Sequence, residues 1–375
     1  MEFRDLKQQY QLHKKEMDTA IQSVLDNADY IHGKKVVELE NKLAEYVGVK
    51  HCITCANGTD ALQLALMTWN IGRGDAVFVP DFTFFSSGEV VPLVGAEPVF
   101  VDIDENTYNI SPESLETAIR YVMENTNLKP KVIVAVDLFG QPADFDKIRQ
   151  IAEQYNLLIL EDAAQGFGGR IGEKKACSFG DIATTSFFPA KPLGCYGDGG
   201  AVFTDNDEWA KLLRSYCVHG KGADKYDNVR IGMNSRLDTL QAAVLLEKIK
   251  FFDGEMDKCN RAAQEYTKRF NGCVKTPVVK EGMYSVWAQY TLCFRDNKER
   301  ETVEKALKDN NIPSAVYYKK PMHQQLAFRD YTVGVLDYSV AKRTCGRCLS
   351  LPMHPYLQTG DIEQITDIIK KTCQG

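Results

Sequence analysis

The sequence predicts an α/β fold in which a large domain with a mostly parallel sheet is followed by a smaller α+β domain. The chain has 375 residues, which is enough for more than one core. Between residues 51 and 205, short runs rich in valine and isoleucine alternate with amphipathic stretches. That alternation is typical of parallel strands covered by helices on both faces. After residue 232 a long helical periodicity replaces it.

Seven apolar runs in the first region are predicted strands. In chain order they read CITCA, AVFVP, PVFVDI, KVIVAVD, LLILED, IATTSFF and GAVFTD. The amphipathic stretch DALQLALMTW after the first run is a predicted helix. Ligands of such sheets bind at the carboxyl ends of the strands, so we expect the functional residues just after these runs.

The second region is predicted to begin with long helices and to continue as a smaller α+β domain. Helical periodicity runs through SRLDTLQAAVLLEKIKFF and DKCNRAAQEYTKRF. A strand is then expected around residues 286–294, a helix around residues 298–310 and a C-terminal helix from Asp361. We therefore assign residues 1–250 to the large domain and residues 251–375 to the small one.

The composition argues against several classes of partner. The formal net charge of −6 gives no support for nucleic-acid binding, which usually needs a basic face. The N-terminal stretch MEFRDLKQQYQLHKKEMD lacks the apolar core of a signal peptide. No run approaches the roughly 20 apolar residues of a membrane span. We expect a soluble cytoplasmic protein without a membrane or nucleic-acid partner.

The cysteines and histidines give no support for a metal site. The eleven cysteines are scattered, and in a chain without a signal peptide this favours reduced thiols. Cys52 and Cys55 have CxxC spacing but lie on a predicted strand, where residues three apart point to opposite faces. A second such pair is formed by Cys345 and Cys348. None of the six histidines shows the i, i+4 spacing of a helical metal site, so we expect no metal.

A predicted strand-to-helix turn could bind an anion. The sequence CANGTDALQLAL places Asn57, Gly58, Thr59 and Asp60 at this turn. The free N–H groups and the dipole of a helix N-terminus favour phosphate. A plain helix cap fits the same residues.

Two further strand ends carry candidate functional residues. LLILEDAAQGFG ends a buried strand with Glu161 and Asp162 and continues to Gln165. A carboxylate there is costly without a cationic partner, although it could also cap a helix. In PDFTFFSS, Phe84 follows another strand and could cover a planar ring, or it could be a core residue.

The stretch TSFFPAKPLGCYGDGGAVF holds one lysine, Lys191, between Ala190 and Pro192. A residue before proline favours extended geometry, and the glycines that follow allow close approach by a ligand. A tight surface turn with an ordinary lysine is the alternative. Taken together, a phosphate cradle, a carboxylate, an aromatic face and a constrained lysine are what pyridoxal phosphate (PLP) requires.

The chain resembles the DegT-type family of PLP-dependent nucleotide-sugar aminotransferases. The motifs that carry the resemblance are IHGKKVVELENKLAEYVGVKHCITCANGTDALQLAL, EDAAQGFG, SFFPAKPLGCYGDGGAVF, GMNSRLDTLQAAVL and LSLPMHPYL. The resemblance implies a PLP-dependent fold of type I and a homodimer with shared active sites. It also implies site residues: Lys191 as the Schiff-base lysine, Asp162 at the pyridine nitrogen, Gln165 at the ring hydroxyl, Phe84 on the ring, and Gly58, Thr59, Ser186 and the second subunit's Asn234 at the phosphate.

Within the family, the chain is similar to enzymes that aminate UDP-2-acetamido-2-deoxy-3-oxo-glucuronate for bacterial surface polysaccharides. In that subgroup the arginine of the NSR motif, here Arg236, faces the sugar carboxylate. Tyr317 and Tyr318 are the other expected substrate residues, and Tyr317 replaces a histidine of those enzymes. The amino donor is expected to be L-glutamate, with Lys191 moving the proton.

Three alternatives remain open from the sequence. The substrate could be another 3-keto or 4-keto nucleotide sugar. A sugar dehydratase of the same fold would carry histidine in place of Lys191. A non-catalytic sensor or regulator with this fold is the alternative from a different functional class.

Overall fold

The computed structural model describes residues 1–224, 226–331 and 336–374. Within these residues the strands are β1 (His51–Cys55), β2 (Asp75–Pro80), β3 (Glu97–Val101), β4 (Lys129–Val136), β5 (Leu158–Asp162), β6 (Arg170–Ile171), β7 (Lys174–Lys175), β8 (Ile182–Ser186), β9 (Gly200–Thr204), β10 (Met283–Tyr284), β11 (Tyr290–Cys293) and β12 (Cys348–Leu351). All seven predicted strands of the large domain are confirmed. The short strands β6, β7 and β10, which form a separate small sheet, were not predicted.

The main sheet has seven strands in the spatial order β1-β9-β8-β5-β4-β2-β3. Strand β9 runs antiparallel to both of its neighbours, and the other pairings in the sheet are parallel. The predicted mostly parallel sheet is therefore confirmed. The carboxyl ends of β1, β2, β4, β5 and β8 lie along one edge, where β9 begins.

Helices accompany the sheet and also occur throughout the second region. They are α1 (Leu6–Leu12), α2 (Lys14–Asn27), α3 (Lys34–Val47), α4 (Gly58–Thr68), α5 (Ser86–Leu93), α6 (Pro112–Asn125), α7 (Phe145–Tyr155), α8 (Asp207–Tyr216), α9 (Thr239–Lys248), α10 (Phe252–Phe270), α11 (Asn297–Asp309), α12 (Ser339–Arg347) and α13 (Thr359–Gln374). Short 3-10 helices span Leu138–Gly140, Met322–Gln324 and Leu326–Phe328.

Side-chain caps explain where several helices begin. The Ser111 hydroxyl accepts a hydrogen bond from the N–H of Ser114, and Pro112 follows at the first helical position of α6. The Asn206 side chain accepts from two N–H groups at the start of α8. Each cap satisfies amide groups that the first turn of a helix leaves without an intrahelical partner.

Both faces of the main sheet are buried, as the apolar runs predict. On β2, Val77 and Val79 pack into one core and Phe78 packs into the core on the opposite face. Cys52 and Cys55 of β1 likewise lie in different cores, which confirms that this CxxC pair points to opposite faces. Among the described residues, no group of three or more His, Cys, Asp or Glu side chains could hold a metal ion.

The second region matches the predicted elements to within a few residues. The expected strand is shorter than predicted and pairs with β12 in a two-stranded antiparallel sheet. The helices α11 and α13 begin within two residues of their expected starts. The proposed division between residues 250 and 251 falls between α9 and α10 and stays a prediction. Among the described residues, no helix is long and apolar enough to cross a membrane.

Candidate active site

The predicted site residues of the large domain meet at one edge of the main sheet. They come from segments distant in sequence because parallel strands end at the same side. Gly58 and Thr59 begin α4 after β1, Phe84 follows β2, Asp162 ends β5, and Ser186 ends β8 with Lys191 five residues later.

The start of α4 forms a narrow cradle. The Asn57 side chain caps the helix by accepting a hydrogen bond from the N–H of Asp60 at 2.8 Å. A Cβ atom on Gly58 would lie 2.7 Å from Cβ of Ser186. A Cβ atom on Gly200 would lie 2.5 Å from the carbonyl group of Asn57. Only glycine permits these approaches, which bring the Ser186 hydroxyl beside the helix N-terminus, an anion-binding element.

Two serines that the sequence analysis did not select connect the cradle with Asp162. The Ser86 and Thr59 hydroxyl oxygens lie 2.8 Å apart. The Ser87 hydroxyl donates to Oδ2 of Asp162 at 2.7 Å. Both serines belong to the PDFTFFSS motif, in which only Phe84 was selected. The sequence signal that could have identified them is the pair of consecutive serines shortly after the end of a predicted strand.

Asp162 is buried and held by several groups. Besides Ser87, the backbone N–H of Ala164 donates to Oδ1 at 3.2 Å. Burial raises the pKa of Asp162, while the two hydrogen bonds and the Lys191 charge act to lower it. Removal from water disfavours the carboxylate, and these neighbours oppose that effect.

Glu161, the neighbouring carboxyl group in the motif, points to the opposite face of β5. Its carboxylate accepts hydrogen bonds from the backbone N–H groups of Cys177, Phe179 and Gly180. Burial is the largest effect on the pKa of Glu161 and raises it to about 7, although these bonds act to lower it. The alternation of side chains along a strand therefore leaves Asp162 as the carboxylate on the site face.

Lys191 lies on a non-helical turn, as its position before proline predicts. Its ammonium group lies 5.9 Å from the centroid of the Phe84 ring, and that ring is 53 % exposed. Burial lowers the pKa of Lys191, the Asp162 charge raises it, and the Arg4 charge lowers it further. Phe84 is thus a surface aromatic beside the lysine, and not a core residue.

The N-terminal segment, which sequence reasoning did not connect with the site, holds the lysine turn. Nη2 of Arg4 donates to the carbonyl oxygens of Lys191 at 3.1 Å and Pro192 at 3.5 Å. The carbonyl of the preceding residue, Phe3, accepts from the N–H of Met353. A separation of 187 residues leaves no local sequence signal for the bond to Lys191.

Gln165 connects the large domain with the two predicted substrate tyrosines. Its Oε1 accepts from the N–H of Phe139 at 2.8 Å, and its Nε2 donates to the Tyr318 hydroxyl at 3.0 Å. The rings of Tyr317 and Tyr318 lie 5.7 Å apart. The roles of these residues toward cofactor and substrate stay predictions.

Asn234 and Arg236 lie on the segment before α9. The Ser235 hydroxyl between them accepts from the N–H of Ala56, which attaches the segment to the end of β1. Asn234 is exposed, and Arg236 has no hydrogen bond or ion pair to any described residue of its own chain. Their contact with a second subunit stays a prediction.

The residues present fit pyridoxal phosphate. Gly58 and Ser186 approach too closely for a Cβ on residue 58, and the hydroxyl and N–H donors at this helix N-terminus suit a phosphate. Asp162 provides a buried carboxylate, and Lys191 is the cation that its charge attracts. An exposed aromatic ring stands beside the lysine.

Comparison with known proteins identifies the family. Residues 11–370 match the DegT/DnrJ/EryC1/StrS aminotransferase family. The chain belongs to this family. The match extends over nearly the whole chain, and the expectation drawn from the sequence motifs is confirmed.

Similar members of the family carry several names. The chain is 45% identical to a Pseudomonas aeruginosa UDP-2-acetamido-2-deoxy-3-oxo-D-glucuronate aminotransferase, covering 97% of this chain and 98% of the other. It is 37% identical to a Geobacillus stearothermophilus pleiotropic regulatory protein, covering 97% and 96%. It is 38% identical to an Acidithiobacillus ferrooxidans UDP-N-acetyl-3-dehydro-alpha-D-glucosamine 3-aminotransferase, covering 99% and 97%.

Solved structures of the family share the fold. A DegT DnrJ EryC1 StrS aminotransferase from Brucella abortus has a TM-score of 0.96 at 49% identity, with 99% of each chain covered. A Bacillus subtilis protein with bound cofactor PMP has a TM-score of 0.88 at 28% identity, covering 97% of this chain and 82% of the other. The protein is a PLP-dependent aminotransferase with the predicted type I fold.

Filling the cradle should weaken cofactor binding. In Gly58→Ala, the new methyl group would press on Ser186 and displace one wall of the cradle. We expect the Kd for PLP, measured by absorbance titration of the cofactor-free protein, to rise at least about tenfold. Gly254→Ala is the matched control, because no atom lies within 4 Å of a Cβ there. Equal affinity of both variants would disprove the cradle.

Removing the Arg4 charge should make Lys191 more basic. In Arg4→Met the nearby positive charge is lost, so the pKa of Lys191 should rise, whereas Arg4→Lys should largely preserve it. The pKa is read from the pH dependence of Lys191 acylation in the cofactor-free protein, followed by peptide mass spectrometry. Arg120→Met, on the exposed surface of α6, is the control. An unchanged Lys191 profile in Arg4→Met would contradict the prediction.

Proposed function

We propose that this protein transfers the amino group of L-glutamate to a keto nucleotide sugar, with UDP-2-acetamido-2-deoxy-3-oxo-D-glucuronate as the substrate. The observation that carries the proposal is the 45% identity over 97% of the chain with the P. aeruginosa aminotransferase of that substrate. The convergence of Lys191, Asp162 and the α4 cradle at one sheet edge supplies groups for the chemistry.

In this proposal the lysine carries the cofactor and moves the proton. Bound PLP supplies an electron-accepting ring that stabilises negative charge at the α-carbon of the amino donor. The Lys191 amine would accept the proton from that carbon at Nζ and pass it on, and it would act in the reverse direction for the sugar. Its lowered pKa favours the neutral amine that must accept a proton.

Asp162 stabilises the positive charge on the cofactor ring. Its carboxylate would favour the protonated form of the pyridine nitrogen. The hydroxyl of Ser87 and the N–H of Ala164 orient the carboxylate. Ser87 is thus proposed as a positioning residue that acts through Asp162.

The active site is proposed to be shared between two subunits. The loop that leads into Asn234 carries apolar side chains at the surface, with Val229 53% and Ile231 89% exposed. Contact with a second copy would remove these side chains from water, which favours association. The same contact would bring Asn234 and Arg236 to the partner's cofactor.

The proposed sugar carboxylate is bound by Arg236. A guanidinium group presents paired N–H donors that match a carboxylate. Among the described residues of its own chain, Arg236 makes no hydrogen bond or ion pair, although its charge adds to burial in lowering the pKa of His32. Tyr317 and Tyr318 would bind the sugar through their hydroxyls. Burial raises the pKa of Tyr317, so its hydroxyl stays neutral near pH 7.

The amino transfer is tested by spectroscopy and product analysis. Addition of L-glutamate should change the visible spectrum of the PLP-loaded protein, and the 3-keto-glucuronate UDP-sugar should then yield an amino sugar detected by mass spectrometry. Borohydride reduction and peptide mapping should place the cofactor on Lys191. An unchanged spectrum would support the regulatory alternative. Faster amination of a 4-keto UDP-sugar would overturn the substrate assignment.

Loss of Arg236 should affect acidic sugars selectively. A charge-assisted hydrogen bond contributes about 1.5–3 kcal/mol, so Arg236→Ala should slow amination of the uronic-acid sugar by roughly one to two decades. Turnover of the counterpart without the carboxylate should change little. Arg236→Lys should recover only part of the rate, because an ammonium group lacks the planar pair of donors. Equal losses on both sugars would make Arg236 a structural residue.

Mixed subunits should restore activity if the sites are shared. One inactive chain carries Lys191→Ala, and the other carries Asn234→Ala together with Arg236→Ala. Random pairing makes half of the dimers mixed with one intact site each, so about a quarter of the parental activity should return. Mixing Lys191→Ala with Asp162→Asn is the control and should restore nothing, since both residues belong to the same chain's site. No recovery despite subunit exchange would disprove sharing.

A further inference from the structure

Two cysteines outside the proposed active site face each other across the two-stranded sheet of the small domain. In the antiparallel pairing of β11 with β12, Cys293 lies opposite Cys348. Neither CxxC motif of the sequence contains this pair, because the two residues come from strands on different segments. The pairing exists only in the folded chain.

The hydrogen bonds around Cys293 and Cys348 show that they form a non-hydrogen-bonded pair, the type with the shorter distance between Cα atoms. Ser350 exchanges both of its backbone hydrogen bonds with Ala315, so its peptide groups face away from β11. Thr291 of β11 lies opposite Ser350, and Cys293 follows two residues later. The N–H of Cys293 donates to the carbonyl of Lys275, which again points away from the partner strand. The N–H of Cys348 bonds within its own segment to the carbonyl of Thr344.

Pairs without hydrogen bonds between them have Cα atoms about 4.5 Å apart in antiparallel sheets. Disulfides span Cα distances of about 4.4–6.8 Å, so the backbone spacing suits a disulfide without a shift of either strand. The neighbouring pair shows that side chains of this type touch, since the hydroxyl oxygens of Thr291 and Ser350 lie 2.8 Å apart. Alternation along the strands places Cys293 and Cys348 on the same face as this hydroxyl pair.

The two thiols differ in access and acidity. Cys293 is partly exposed and Cys348 is fully buried. A hydrogen bond from Cys348, with the charges of Lys275 and Arg347, lowers the pKa of Cys293 to about 7 despite its partial burial. The pKa of Cys348 is raised by the same hydrogen bond and by burial. A partly exposed acidic thiol beside a buried one is the arrangement of an attacking and a resolving cysteine.

The remaining cysteines do not share these properties. Eight of the eleven, Cys348 among them, are buried. Cys273 is exposed, but partial burial of its sulfur raises its pKa. The pKa of Cys373 is raised to about 11 by burial. Cys293 is thus the cysteine with the largest thiolate fraction near neutral pH.

We propose that Cys293 and Cys348 form a thiol–disulfide exchange site for low-molecular-weight disulfides of the glutathione type. The Cys293 thiolate attacks one sulfur of the small disulfide, whose other half leaves as a thiolate. Cys348 then attacks the Cys293 sulfur in the mixed disulfide, and its proton passes to the departing small thiolate. The second small thiolate leaves, and the two electrons given up by the cysteine pair have reduced the small disulfide to two thiols.

The bond would lie next to the segment that carries the proposed substrate tyrosines. Strand β12 pairs with Cys293 on one side, and on the other side Ser350 bonds to Ala315, two residues before Tyr317. The exchange site does not depend on the proposed sugar substrate, and formation of the disulfide can be measured without turnover of that substrate.

The reduced full-length protein is incubated with oxidised glutathione and digested without reduction. We expect a peptide pair joined through Cys293 and Cys348, lost again on treatment with dithiothreitol. In Cys348→Ala, glutathione should remain on Cys293 as a mixed disulfide, because the resolving thiol is absent. In Cys293→Ser the cross-link should be absent and Cys348 should stay unmodified because it is buried.

Alkylation rates provide an independent readout. With iodoacetamide at pH 7, Cys293 should react several-fold faster than Cys273, because its larger thiolate fraction outweighs the lower nucleophilicity of a more acidic thiolate. Cys273→Ser is the matched control and should form the same cross-link as the parent. A mixed disulfide that persists on Cys293 of the parent would overturn the proposal. Preferential glutathione attachment to Cys273, or no reaction in protein with an unchanged circular dichroism spectrum, would also overturn it.

Discussion

The carboxylate of Asp162 is the group on which the arrangement of the site depends. It lies buried at the end of β5, where the loss of water disfavours its charge. Ser87, the N–H of Ala164 and the Lys191 ammonium each stabilise that charge from a different segment. A buried carboxylate of this kind needs several donors at once, and the parallel strand ends supply the positions for them.

Close backbone approach is the second constraint on the site. Strand β9 begins against the turn that precedes α4, and the carbonyl group of Asn57 occupies the space where a side chain of Gly200 would lie. A side chain on Gly58 would likewise overlap Ser186, which lies at the end of the neighbouring strand β8. The antiparallel insertion of β9 between β1 and β8 therefore brings Gly200 against the turn at the start of α4.

The two carboxyl groups of the EDAAQGFG motif show that neighbouring residues of one strand face different surroundings. Glu161 faces three backbone N–H groups and stabilises the turn after β7, while Asp162 faces the site. Their neighbouring positions in sequence put them on opposite faces of β5. The alternation of side chains along β5, and not the chemistry of the two residues, determined which carboxyl group faces the candidate site.

The sequence alone determined the seven strands of the large domain and the residues at their ends, because apolar periodicity and strand-end chemistry are local properties of the chain. Its motifs also determined the family, and with it the cofactor. The order of the strands, the reversed direction of β9 and three long-range contacts were decided only by the tertiary structure. These contacts are the Ser87 bond to Asp162 across 75 residues, the Arg4 bond to Lys191 across 187 residues, and the facing of Cys293 and Cys348. Such contacts depend on which strands become neighbours, and that choice reflects the packing of both sheet faces and not the sequence around any one residue.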